Sequence, residues 1–184
     1  MKSKEILQII LITFFGMLGC VLIGFIFYNS SIVSTTRTDF QFVAAGFYGA
    51  LFFSFLEYRP VREQILAMII ILILNLIIFT GKSLSTAYII RDVLYLGGLF
   101  LSIKLYHQFI KKNPKVKYYL RSFALALIYG LLNVASVTII YIINANANIP
   151  PVSFIYAIAR YGILIGLGIG LGIDFYLQNI KQES

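Results

Sequence analysis

Tryptophan is absent from this chain, and cysteine and histidine occur once each, as Cys20 and His107. One thiol closes no internal disulfide. Cys20 lies inside the first apolar run and reads as a small buried hydrophobe. His107 stands among Lys104, Lys111 and Lys112 with no second His or Cys nearby. A haem or zinc site built on clustered His and Cys is therefore excluded, and no cofactor or metal is expected. Acidic residues number only 7 and are scattered, so no Asp-rich cluster is available to hold Mg²⁺. The chain has no Walker-type phosphate loop, no Gly-x-Ser-x-Gly elbow and no His-Glu-x-x-His. No catalytic constellation is visible, and the expectation is a protein that is not an enzyme.

What the chain has in abundance is apolar sequence. Of 184 residues, 60% are hydrophobic, and the mean hydropathy is +0.90. Soluble domains usually sit at about 45–50% apolar. A bilayer core about 30 Å thick needs about 20 apolar residues to cross it as a helix. Six runs of suitable length follow one another, at 6–28, 40–57, 64–80, 85–106, 118–143 and 152–177. The expected fold class is all-α, a polytopic membrane helix bundle of about six transmembrane helices forming a single domain over 1–184. The first run follows Lys2 and Lys4 but exceeds the length of a secretory h-region and lacks a small-residue cleavage pattern, so it reads as an uncleaved signal anchor.

The net charge of +8 would suggest nucleic acid in a soluble protein. Here the charge lies beside apolar spans, where it sets orientation; no nucleic-acid partner is expected. With the N-terminus inside, 11 of the 15 Lys and Arg residues fall on the inner side and 4 (Arg37, Lys82, Arg91 and Arg160) fall outward. That asymmetry places both termini in the cytoplasm, with the bacterial inner membrane as the expected setting. The basic 104–121 connection should meet anionic lipid headgroups.

Span six carries two ridges of small residues. Gly162, Gly166 and Gly170 recur at i, i+4, i+8, whereas Gly168 and Gly172 lie on nearly the opposite face. Lipid removes most of the hydrophobic drive between helices, so close backbone approach matters. Two such faces imply a helix held between two neighbours at the centre of the bundle. A strand reading of the period-2 glycines fails because a lone strand in hydrocarbon leaves its backbone unpaired.

Polar residues at membrane depth need a reason. Tyr88, Arg91, Asp92 and Tyr95 stand at i, i+3, i+4, i+7, one helical face about two turns from the outer end of span four. Tyr156 and Arg160 lie at comparable depth in span six, and Asn133 falls near the middle of span five. Together these residues suggest an outward-facing cavity for a small anionic or zwitterionic solute. Arginine offers a planar fork to carboxylate or phosphate, and Asp92 a partner for an ammonium group. The plainer reading is interior glue and headgroup snorkelling. Glu57 and Asp174, at the inner ends of spans two and six, read as interfacial and hydrated.

In size and six-span layout the chain resembles the substrate-binding subunit of an energy-coupling-factor vitamin importer. That resemblance implies an ATPase module and a coupling membrane protein as partners, because the chain itself has no energy-coupling site. The alternative is a non-catalytic membrane scaffold or assembly subunit docked to a membrane protein partner.

Overall fold

The computed structural model describes residues 3–28, 36–80, 86–113, 115–144 and 150–179. Six helices account for nearly all of them: α1 (Ser3–Tyr28), α2 (Thr36–Tyr58), α3 (Val61–Thr80), α4 (Thr86–Lys112), α5 (Tyr118–Asn144) and α6 (Val152–Asn179). There is no strand among the described residues. Among the described residues, four segments are long and apolar enough to cross a membrane, Lys4–Phe27, Val93–Lys112, Tyr118–Ile142 and Val152–Asn179, and Phe42–Tyr58 is a shorter apolar helix. The 20 residues of α3 extend about 30 Å, the thickness of the hydrocarbon core.

Helix ends follow local chemistry. Pro60 cannot extend α2, and its carbonyl accepts the first amide bonds of α3, from Glu63 at 2.9 Å and Gln64 at 3.2 Å. The Gln64 side chain donates back to the Arg59 carbonyl at 2.7 Å and closes the corner. Pro151 plays the same part for α6, accepting from Phe154 at 3.0 Å and Ile155 at 3.1 Å. The fourth helix runs to Lys112 rather than stopping near 106, since its last turn carries Lys111 and Lys112 against the negative end of the helix dipole.

The helices pack as a ring, α5–α6–α1–α2–α4 and back to α5, with α3 outside against α2 and α4. α6 is held between α5 and α1 and also touches α2 across the ring. Its two glycine ridges meet different helices. A Cβ on Gly166 would stand 2.8 Å from the Ala126 Cα, and one on Gly170 2.7 Å from the Ser122 Cα, both on α5. A Cβ on Gly168 would stand 2.5 Å from the Cys20 Cα, and one on Gly172 would overlap the Phe15 carbonyl, both on α1. Backbone-to-backbone approach of this kind is what small-residue ridges provide in lipid.

Interior aromatic pairs join the remaining helices. Phe52 of α2 meets Phe100 of α4 with centroids 4.7 Å apart, and Phe53 meets Tyr106 at 5.9 Å. The outward faces are apolar, as expected of helices whose surroundings are lipid: Ile65, Leu66, Ile69 and Ile73 of α3 are all exposed.

Candidate functional site

The ends of the bundle differ. One collects the N-termini of α1, α3 and α5 and the C-termini of α2, α4 and α6, and carries Arg59, Arg62, Lys111, Lys112, Lys115 and Lys117. This is the basic end. The residues read from the sequence as a solute site lie in the middle and toward the other end.

Asn133 is at mid-length in α5 and 1% exposed. Its side-chain amide donates to the Ile158 carbonyl of α6 at 3.0 Å. That bond fixes which way the amide points, because a flipped amide would set oxygen against oxygen. The Asn133 Oδ1 is then left buried without a hydrogen-bond partner among the described residues. Such an acceptor costs about 1–3 kcal/mol while it stays unpaired. One turn away on α5, Tyr129 is buried and lies near Tyr95 of α4. Sequence reasoning passed over Tyr129, although its i−4 spacing from Asn133 was the available signal.

The other predicted residues part company. Arg160 is exposed, and its Nη2 donates to the Phe27 carbonyl in the last turn of α1 at 3.0 Å. It satisfies one of the carbonyls that a helix end leaves open. Tyr156 is 70% exposed and points out of the bundle. For Tyr88, Arg91 and Asp92 the α4 backbone is described, but their side chains lie outside the described residues. Arg160→Met should therefore loosen the end of α1 and lower stability by about 1 kcal/mol, measured as faster amide hydrogen exchange over 22–28.

A second polar group lies toward the basic end. Asp174 of α6 is 3% exposed, which corrects the expectation of a hydrated interfacial carboxylate. Its Oδ1 accepts from the Tyr106 hydroxyl of α4 at 2.8 Å, and its Oδ2 accepts from the Ser122 hydroxyl of α5. Arg121, also buried, interacts with it electrostatically and stacks on the Tyr118 ring at 4.7 Å. The carboxylate is thus saturated by two hydroxyls and a neighbouring cation. Next to Tyr106, the His107 Nε2 lies 3.0 Å from the Glu57 Oε2 of α2, so Glu57 is also engaged rather than free in solvent. No group of three or more His, Cys, Asp and Glu that could hold a metal occurs among the described residues.

Fold, composition and helix lengths define an integral membrane helical bundle. No protein-family model matches the chain, and neither a curated protein nor a solved structure matches it.

Proposed function

We propose that the protein binds or transports a small anionic or zwitterionic solute, admitted from the end opposite the basic one. The observation that carries this reading, and favours its zwitterionic form, is the Asn133 Oδ1, an acceptor without a partner among the described residues, held at mid-length of α5 by a bond that commits the other half of its amide. An ammonium or amide N–H of a solute would satisfy it. Tyr95 and Tyr129 supply ring faces and hydroxyls nearby, and Arg91 and Asp92 share the Tyr95 face of α4 closer to the entrance. With the basic end in the cytoplasm, entry is from outside. The substrate-binding subunit of a larger transporter is the role we assign, since the chain has no energy-coupling motif of its own.

Thermal-shift screening of the purified protein against amino acids, carboxylated vitamins and phosphomonoesters tests this. A stabilising solute is expected, and Asn133→Leu should abolish its effect while leaving the apo protein folded. Ile158 lies inside α6, where its carbonyl also accepts within the helix, so losing the Asn133 donor strands no buried group. Retention of the full shift in Asn133→Leu removes Asn133 from the site and the reading with it.

The scaffold reading has its own support in Arg160 and Tyr156, one spent on a helix end and the other facing outward. A stoichiometric membrane protein partner recovered from native nanodiscs, with no responding solute, would favour it.

A further inference from the structure

The outer face of α4 carries a stripe at 93, 97, 101, 104, 108 and 111, and all six positions are exposed. Spacings of three and four keep them on one side of the helix. The stripe changes character along its length. Val93, Gly97 and Leu101 are small or apolar; Lys104, Gln108 and Lys111 are polar, and Lys112 adjoins them. At Gly97 a Cβ would meet nothing within 4 Å, so the surface is dented there and open to the outside.

Among the described residues, the lysines of this stripe have no acidic partner. Glu57 is taken by His107, Glu63 by Arg59 at 3.4 Å, and Asp174 by Tyr106 and Ser122. No Asp or Glu occurs between Asp92 and Asp174 in the sequence. Among the described residues, Lys104, Lys111, Lys112 and Lys115 form no ion pair. Lys104 and Lys111 are about 10 Å apart along the helix axis, the deeper lysine lying beside apolar surface. A long ammonium side chain in that position extends toward the headgroup layer.

We infer that this stripe is a binding site for an anionic glycerophospholipid. The phosphate oxygens accept from the Lys104, Lys111 and Lys112 ammonium groups. One acyl chain runs along Leu101 into the dent at Gly97 and on to Val93. The occupant is a lipid rather than free phosphate because the apolar half of the stripe continues directly from the cationic half. The inference is independent of the solute site at Asn133, which lies on the α5–α6 contact.

Native mass spectrometry of the full chain, from mild detergent containing equimolar phosphatidylglycerol and phosphatidylcholine, reads the preference directly. Each lysine near an anionic headgroup contributes about fivefold in partitioning. Phosphatidylglycerol should therefore be retained at least about tenfold over phosphatidylcholine. The triple variant K104Q/K111Q/K112Q should bring the two near parity, and K104R/K111R/K112R should keep the preference. Gly97→Leu fills the dent without obstruction and should weaken retention of the lipid. Inorganic phosphate should not displace it. Equal retention of the two lipids by the wild type, or an unaltered preference in the triple Gln variant, overturns the inference. Displacement of the lipid by phosphate would reassign the cations to a free anion. Displacement by low concentrations of polyglutamate would reassign them to an acidic protein. Either result also overturns it.

Discussion

Gly166→Ala is expected to destabilise the bundle, and Gly166→Leu to keep α5 and α6 from packing at all. The added Cβ would stand 2.8 Å from the Ala126 Cα and 2.9 Å from the Leu125 carbonyl oxygen. Both are backbone atoms of α5, so no rotamer change relieves the overlap and the whole helix must move. Overpacking costs about 1–3 kcal/mol, and a rigid obstacle sets this site at the upper end. Alanine recovers about 1 kcal/mol through its better helix propensity. The clash wins, with a net loss of about 2 kcal/mol. Gly97→Ala is the control of opposite sign: nothing lies within 4 Å of its Cβ, and the propensity gain stands alone. Cys20 provides the readout. It is the single thiol and is 0% exposed, so its alkylation in detergent on heating reports opening of the bundle. A Gly166→Ala midpoint at or above that of the wild type would mean that α5 is free to shift, and the ridge would lose its role.

The same contact shows what was legible in the chain. The two ridges of α6 are a matter of spacing alone, and spacing on a helix determines faces. That α6 needs two close neighbours therefore follows from residues 162–172. Which helices they are does not follow, because α1 and α5 each offer small residues, Gly16 and Gly19 on one and Ala126 and Gly130 on the other. Asp174 shows the converse. Its place five residues from the end of α6 suggested contact with water. It is buried because α4 continues to Lys112 and α5 begins at Tyr118, bringing Tyr106 and Ser122 over it. Position along a helix measures depth in the membrane but not what closes around a side chain. Arg160 and Tyr156 make the same point at the other end. Their depth was readable, whereas the Phe27 carbonyl that holds Arg160 is 133 residues away in sequence. For Asn133 the depth was readable and the unfilled half of its amide was not, since that depends on the Ile158 carbonyl being the group it meets.

Asp174→Ala should be the most damaging single change at the basic end. The substitution removes the acceptor for two hydroxyls that belong to two other helices, and it strips the neighbouring counter-charge from Arg121, itself only 6% exposed. Ser122 keeps an alternative, since its hydroxyl also reaches the Tyr118 carbonyl at 3.3 Å. The Tyr106 hydroxyl, fully buried, loses the acceptor seen here. Removing one side of a buried charge cluster costs about 3–5 kcal/mol, mostly because the surviving charge is left uncompensated. Two further variants divide that cost. Asp174→Asn keeps an acceptor for Tyr106 and a polar contact for Ser122 but lacks the charge, so its loss reports the electrostatic part. The double variant Asp174→Leu with Arg121→Met removes both charges, and it should recover most of the stability lost in the single one, because an apolar replacement of a buried pair is often neutral or better. Thiol accessibility of Cys20 on heating measures all three. If the double variant is no more stable than Asp174→Ala, the charge of Arg121 is not what the carboxylate offsets, and the hydroxyl bonds to α4 and α5 carry the whole effect. If it recovers, the buried carboxylate is a device for joining α4, α5 and α6 around a cation that the basic end keeps inside the bundle.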